Sequence, residues 1–141
     1  MNNKKNKSNM EETHRKRNIF LNFIENIKQG NFVLPYCKKC KKNIWPPANH
    51  CRICLNHLSL KNCSKKKGRI LEILISKINN NINNNNNELM VLVDIHEVIL
   101  IGSLFLDTNI NNLNNFKGKF VRIEKCGFIN NKIFYQFTPC K

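Results

Sequence analysis

Four cysteines form two Cys-x-x-Cys pairs in the first half of the chain. Cys37 and Cys40 make up the first pair, and Cys51 and Cys54 follow after ten intervening residues. Each pair can fold into a tight turn that directs two sulfur atoms towards one point, and ten residues let the chain run out and return. Four thiolates then complete a tetrahedral Zn²⁺ site with no open position. An iron centre with the same ligands is the main alternative, because the spacing does not separate the two metals.

Other uses of the cysteines fit the pattern less well. The seven cysteines of the chain cannot all pair as disulfides, and a thioredoxin-like motif needs one Cys-x-x-Cys pair beside a βαβ unit, which the sequence lacks. His50 and His57 flank the second pair and could replace a cysteine as ligand, but surface positions are the simpler interpretation. We expect the isolated Cys63, Cys126 and Cys140 to be small apolar or partly exposed residues.

The cysteine region is strongly basic. The chain carries a formal net charge of +15, and residues 31–67 contain nine Lys or Arg and no Asp or Glu. Positive charge beside thiolates stabilises their ionised form. The same charge indicates an anionic partner, such as nucleic acid, a membrane surface or a phosphorylated ligand. Residues 1–17 are also basic and are expected to form a disordered tail.

A short amphipathic helix is predicted before the cysteines. The segment "NIFLNFIENIKQGN" (18–31) places Ile19, Phe20, Phe23, Ile24 and Ile27 on one helical stripe. Two interpretations stay open: the stripe packs against its own domain, or it docks onto a partner protein. Residues Phe20, Phe23, Ile24 and Ile27 are the candidates for docking.

The pattern changes to strands after the cysteines. The segment "RILEILISKI" (69–78) puts Leu71, Ile73 and Ile75 on one face of a strand. Its β-branched content favours a strand over a helix.

Four more strands are predicted in the rest of the chain. The segment 88–106 is too long for one strand and is expected to bend near His96–Glu97. Two further strands, 119–126 and 132–139, are joined by a short loop that contains Gly127. Five strands within about 70 residues and no long helix indicate a small closed or nearly closed antiparallel barrel.

The chain is expected to be soluble and cytoplasmic. The longest apolar run, "VILIGSLFL" (98–106), has nine residues and is too short to cross a bilayer as a helix. The first 18 residues contain no apolar signal region. A reducing compartment would keep the thiols free or metal-bound.

An enzyme is the class of protein least favoured by the residues. A closed four-thiolate site leaves no position for a metal-bound water. Asp94, His96 and Glu97 are the titratable cluster of the strand region, and a solvated strand end is their simpler role. No Ser, Cys or Lys nucleophile stands at a recognisable spacing from a base. We therefore expect a non-catalytic protein.

The order of motifs resembles a known family. The chain runs from the helix through "GNFVLPYCKKCKKNIWPPANHCRIC" to "ELMVLVDI", "FKGKFVRIEK" and "FYQFTP". This order is similar to the rubredoxin-like zinc-ribbon plus OB-fold family known as domain of unknown function thirty-five, over roughly residues 15–140. The resemblance implies a mainly β chain with the helix at 18–31, a zinc ribbon at 32–64 and a five-stranded OB-fold barrel at 65–141. The family's metal-ligand positions fall on Cys37, Cys40, Cys51 and Cys54.

The resemblance also implies a function. Members are similar to non-catalytic accessory subunits of thiolase-type enzymes, which in archaea bridge acetoacetyl-CoA thiolase and hydroxymethylglutaryl-CoA synthase in the mevalonate pathway and help to hold acyl-CoA. Under this interpretation the helix docks onto the thiolase-like partner. Lys65, Lys66, Lys67 and Arg69, at the junction of ribbon and barrel, are the candidates for contacts with the CoA phosphates.

The alternative function is that of a nucleic-acid-binding zinc-ribbon and OB-fold protein. The basic ribbon favours it. The loop 79–87 opposes it, because it is a run of asparagine and isoleucine with no aromatic ring or cation, whereas OB-folds that bind single strands stack bases on aromatic side chains.

Overall fold

The fold is mainly β and is preceded by one helix. The computed structural model describes residues 18–77, 87–106 and 113–140. The elements in these residues are helix α1 (Ile19–Lys28) and strands β1 (Val33–Cys37), β2 (Lys42–Asn43), β3 (Ser59–Asn62), β4 (Lys67–Lys77), β5 (Asn87–Ile95), β6 (Val98–Leu106), β7 (Phe120–Ile129) and β8 (Lys132–Pro139), with a 3-10 turn at Leu113–Phe116. The predicted tail 1–17 and residues 78–86 of the asparagine-rich loop lie outside the described residues.

Helix α1 has clear start and stop signals. The Asn18 side-chain oxygen accepts a hydrogen bond from the Leu21 N–H at 3.1 Å and so caps the first turn. Lys28 stands in the last turn, where its charge complements the helix dipole. Gly30 then adopts a positive φ of 83°, a conformation that suits glycine just beyond a helix end.

Strands β1, β2 and β3 form a small antiparallel sheet in the order β2-β1-β3. The central strand β1 pairs through Cys37 with Lys42 of β2 and through Val33 with Asn62 of β3. The sheet therefore brings Cys37, at the end of β1, directly to the turn that carries the next cysteine.

Strands β4 to β8 close into a barrel in the order β4-β5-β6-β8-β7, and β7 returns to pair with β4. All pairs are antiparallel except β6 with β8. A five-stranded barrel with this crossover is the OB-fold arrangement. The predicted fold class, a mainly β chain with an N-terminal helix, a four-cysteine ribbon and an OB-type barrel, is therefore confirmed.

Two tight turns within the described residues connect β5 to β6 and β7 to β8. His96 and Glu97 have φ of 50° and 68°, so the long apolar segment bends where the sequence predicts. Asn130 and Asn131 form the second such turn, with φ of 52° and 61°. The prediction of a loop at Gly127 is wrong: Gly127 lies within β7, where a Cβ would come 2.5 Å from the ring of Phe134.

Strand β4 does not keep a single alternating pattern. Its register against β5 shifts between Ile70 and Glu72 and again between Ile73 and Ile75. Ile70 is 1% exposed and Leu71 is 39% exposed. The predicted common face for Leu71 and Ile73 is therefore wrong, because each bulge inserts one residue and turns the following side chains to the other side.

Helix α1 joins two hydrophobic clusters. Phe23 and Ile27 belong to the large cluster that fills the barrel and its junction with the ribbon. Ile19, one turn earlier, belongs to a smaller cluster that includes Cys37 and Cys51. The ring of Phe23 also packs edge-on against Trp45 of the ribbon, with 5.8 Å between centroids. The ribbon and the barrel thus share their packing through one helix.

Candidate metal centre

The four cysteine sulfurs of the two Cys-x-x-Cys pairs converge on one point. The Sγ atoms of Cys37, Cys40, Cys51 and Cys54 all lie within 4.8 Å of one another. Cys37 Sγ is 3.5 Å from Cys54 Sγ, and Cys40 Sγ is 3.9 Å from Cys51 Sγ. In a tetrahedral site with Zn–S bonds of about 2.3 Å, neighbouring sulfurs stand about 3.8 Å apart. The observed separations therefore fit one four-coordinate ion, and each close pair joins the two motifs.

The two motifs have the same local turn. Lys41 follows the first pair with φ of 55°, and Leu55 follows the second with φ of 63°. This left-handed conformation is more often occupied by glycine, so both residues carry a backbone cost of the order of 1 kcal/mol. The same backbone conformation thus recurs directly after the second cysteine of each pair.

Backbone N–H groups point at the sulfurs. The Cys40 N–H donates to Cys37 Sγ at 3.4 Å, and the Ile53 N–H donates to Cys51 Sγ at 3.4 Å. Such bonds favour the thiolate form of the accepting sulfur. Because a metal ion binds the thiolate and not the thiol, these hydrogen bonds favour the form of the sulfurs that binds a metal.

The pKa values of Cys51 and Cys40 are shifted in opposite directions. The backbone N–H groups of Cys54 and then Ile53 lower the pKa of Cys51 to about 7, although burial opposes the shift. The side chain of Cys54, followed by burial, raises the pKa of Cys40 to about 12. Cys51 therefore ionises much more readily than Cys40, and a bound divalent cation would displace the proton that Cys40 keeps at neutral pH.

The site is closed on its inner side. Cys37 and Cys51 are 0% exposed and pack with the aliphatic side chains of Ile19, Ile44 and Leu58. Cys40 and Cys54 are half-buried. If the four sulfurs supply all the ligands of one ion, no coordination position is left for a substrate.

The neighbouring histidines lie outside this cluster. His50 and His57 are exposed and face each other across an isolated β-bridge, with ring centroids 4.5 Å apart. Their surface positions agree with the sequence prediction. Asp94, which the sequence placed in a titratable cluster, stabilises the turn between β5 and β6. Its Oδ1 accepts a hydrogen bond from the Glu97 N–H at 2.9 Å.

The predicted docking stripe on helix α1 requires a correction. Phe23 and Ile27 are 0% exposed and Ile24 is partly buried against the same core, so they are covered by their own domain. Only Phe20 of the four candidates is exposed, at 45%, and Leu21 beside it is 53% exposed. The amphipathic pattern was read correctly, but its apolar side holds the ribbon to the barrel.

The predicted phosphate-binding residues lie on the surface between ribbon and barrel. Lys65 is exposed and Lys66 is partly exposed, and the Lys66 N–H donates to the Cys63 carbonyl at 3.0 Å. Lys67 begins β4 and stands opposite Arg122 of β7, and Arg69 stands opposite Phe120. Arg122 was missed from the sequence because β4 and β7 pair across more than fifty residues. CoA binding by this group remains a prediction.

An exposed apolar face on β5 and β6 was also missed. On β6, the outward-facing Ile99, Ile101 and Phe105 are 50%, 56% and 40% exposed. On β5, Leu92 stands opposite Ile101, whereas Asp94 stands opposite Ile99 and Glu88 stands opposite Phe105. The signal in the sequence was the run "VILIGSLFL", which is apolar at both parities, whereas a half-buried strand alternates with polar residues. We call this surface the β5–β6 outer face.

The fold and the cluster together define a class: a four-cysteine ribbon joined by a helix to an OB-type barrel. Two solved structures with this architecture belong to the DUF35 family, the domain of unknown function thirty-five. The structure titled Ltp2-ChsH2(DUF35) aldolase matches with a TM-score of 0.59 and 18% identity over 83% of this chain and 91% of that chain. A protein of unknown function from the DUF35 family of Sulfolobus solfataricus matches with a TM-score of 0.52 and 14% identity over 84% and 83%.

At these identities the likeness establishes the fold, which agrees with the family resemblance found in the sequence. No protein-family model matches the chain, and no curated protein matches its sequence. Among the described residues, no helix is both long and apolar enough to span a membrane.

Proposed function

We propose that this chain is a DUF35-type, zinc-binding, non-catalytic accessory subunit of a thiolase-type acyl-CoA enzyme complex. The observation that carries the proposal is the closed four-sulfur cluster, set in a fold shared with the DUF35 component of an aldolase assembly. The partner would be a thiolase-like enzyme, with hydroxymethylglutaryl-CoA synthase as the second enzyme of a bridged pair.

Zinc is the metal that suits this site best. Four thiolates in a closed tetrahedral set are a frequent structural zinc environment. The ribbon has few buried apolar residues of its own around the cysteines: Ile44 and Leu58, with Ile19 supplied by helix α1. A segment of this size needs a metal or another cross-link to fold stably, so the ion would supply the missing stability.

The β5–β6 outer face supports an accessory role. Exposed apolar side chains grouped on one sheet face often mark protein interfaces, and on β6 three such side chains lie among the polar Ser103, Glu88 and Asp94. Ile99, Ile101 and Phe105 would be covered by the partner enzyme, and the exposed Phe20 of helix α1 is a second candidate contact. Lys65, Lys66, Lys67 and Arg69 would not be covered by the partner enzyme and could attract the phosphates of an acyl-CoA bound in the complex.

Purification of the tagged chain from its native cells tests this proposal. We expect a thiolase or a hydroxymethylglutaryl-CoA synthase to co-purify in stoichiometric amount, and the variant Ile99→Lys/Ile101→Lys to lose it while it keeps its circular dichroism spectrum. Recovery of RNA in place of such an enzyme, with binding that weakens steeply as salt rises, would overturn the proposal in favour of the nucleic-acid alternative.

A further inference from the structure

One end of the barrel carries a groove whose lining includes Lys67, one of the residues proposed above to attract CoA phosphates. Its volume is about 530 Å³, and its walls come from the start of β4, the start of β7, the ends of β6 and β8, and the 3-10 turn. Clefts of this size hold small organic ligands in many proteins, and the mouth of a β-barrel is a common place for them.

The floor of the groove is apolar. Ile70, Leu104 and Val121 reach it from the barrel core and are 1%, 0% and 1% exposed. Phe116 and Phe120 form its sides, and Phe120 is 55% exposed. A ligand that fills the groove must therefore offer an aliphatic or aromatic portion to these side chains.

The rim of the groove is cationic. Lys67 and Lys119 belong to its lining, and no Asp or Glu is among the described lining residues. Within the described chain, no carboxylate lies within 4.0 Å of either Nζ, and the one ion pair there joins Lys117 to Glu72. Lys119 instead lies 5.4 Å over the ring of Phe116. Among the residues that the structure describes, neither ammonium group is paired with a carboxylate, so both can contact an anion.

The cationic rim is held in a fixed position by the backbone. The Gly118 N–H donates to the Ile70 carbonyl at 2.8 Å, and the Ile70 N–H donates to the Lys119 carbonyl at 3.0 Å. Gly118 adopts a φ of 80°, and a Cβ at this position would lie 3.6 Å from the guanidinium of Arg69, which places a third positive charge next to the rim. The loop that carries Lys119 is thus fastened to β4 at Ile70, and Lys67, at the start of the same strand, lines the same groove.

We propose that this groove binds a small amphiphilic anion, with an aliphatic chain on the floor and a phosphate or carboxylate head between Lys67 and Lys119. The inference concerns the chain by itself and does not depend on a partner enzyme. The apolar floor requires a ligand with an aliphatic chain, and the two lysines require a negatively charged head group. Inorganic phosphate and an alkyl cation should therefore both bind poorly to the groove.

Calorimetric titration of the isolated chain tests the site, with decyl phosphate and decanoate used below the concentrations at which they self-associate. We expect saturable binding with one site per chain, and the two probes decide between a phosphate and a carboxylate head. The variant Lys67→Gln/Lys119→Gln should bind about tenfold more weakly. The matched control Lys125→Gln/Lys132→Gln removes two exposed charges outside the groove and should bind like the wild type.

Cys140 provides a second measurement that needs no variant. It lines the groove and is partly exposed, and its N–H donates to the Phe120 carbonyl at 3.0 Å. Bound decyl phosphate or decanoate should slow the alkylation of Cys140 by iodoacetamide, measured on its peptide by mass spectrometry, and leave the rate at Cys40 unchanged. The proposal is wrong if neither probe binds, if decyltrimethylammonium binds equally well, or if Cys140 is not protected.

Discussion

Cys37 Sγ lies 3.5 Å from Cys54 Sγ, although the two residues are 17 positions apart in the chain. As neutral thiols the two groups can share one weak S–H hydrogen bond, whereas their ionised forms repel each other. A cation between them removes the repulsion, so the arrangement is what a bound metal ion would stabilise.

The first prediction concerns that cation. The purified wild-type chain should contain one zinc ion per molecule by mass spectrometry of the metal, and Cys37→Ser should contain none. The loss should lower the melting temperature strongly, because the ribbon loses its cross-link. Cys140→Ser, which changes a thiol outside the cluster, is the control and should keep both the metal and the melting temperature. Equal metal content in the two variants would exclude the site.

The second prediction separates two phenylalanines on helix α1. Phe23 is 0% exposed and packs against Trp45, so Phe23→Ala should lower the free energy of unfolding by about 3–5 kcal/mol. Phe20 is 45% exposed, and Phe20→Ala should cost under about 1 kcal/mol. Urea denaturation of both variants checks the difference. Similar losses would mean that the helix does not pack as described.

The third prediction concerns a close approach inside the barrel. A Cβ at Gly102 would lie 2.7 Å from the backbone oxygen of Tyr135 and would overlap the buried ring of Phe137. Gly102→Ala should therefore destabilise the fold by about 1–3 kcal/mol, as overpacking does. Ile101→Val changes the adjacent outward residue and should stay within about 0.5 kcal/mol. Thermal unfolding of the two variants distinguishes these outcomes.

The fourth prediction concerns a buried hydroxyl. Tyr135 is 6% exposed, and its hydroxyl has no hydrogen-bond partner among the described residues. A buried polar group without a partner costs about 1–3 kcal/mol. Tyr135→Phe should therefore leave the free energy of unfolding at pH 7 unchanged or raise it by about 1 kcal/mol. A large loss of stability would show that the hydroxyl has a partner.

The same residue predicts a dependence on pH. Burial, with a smaller effect of nearby Cys126, raises the pKa of the Tyr135 phenol well above its usual value. The folded chain therefore holds this proton more tightly than the unfolded chain, and its contribution to stability is complete below about pH 10 and declines at higher pH. Urea unfolding at pH 9 and pH 11 should show a smaller loss for Tyr135→Phe than for the wild type. Tyr36→Phe serves as the control variant, and identical losses in all three proteins would contradict the assignment.

The sequence predicted the features that depend on near neighbours. The cysteine cluster follows from the spacing of two short motifs, and the bend at His96–Glu97 follows from a segment too long for one strand. The order of elements led to the fold through a family resemblance. Each of these features depends on residues that are close together in the chain or on the order of the elements along it.

The features that depend on pairing between distant segments were missed or misread. The bulges in β4 turn Leu71 outward, and only the register against β5 reveals them. The basic rim joins Lys67 to Lys119 through the pairing of β4 with β7. The apolar side of helix α1 was recognised, but whether its own domain or a partner covers Phe23 depends on what lies beside the helix in space.

Helix α1 has one end in each of the two clusters: Ile19 beside the cysteines and Ile27 in the core of the barrel. If the ribbon loses its ion, Ile19 loses the packing of the cysteine cluster at one end of the helix. The helix is then held less firmly, and the part of the barrel core that Phe23 and Ile27 bury becomes exposed more often. Partly unfolded chains are removed by cellular proteases in proportion to their population. The amount of this protein in a cell would then follow the supply of metal, even though the barrel itself holds none of the metal's ligands.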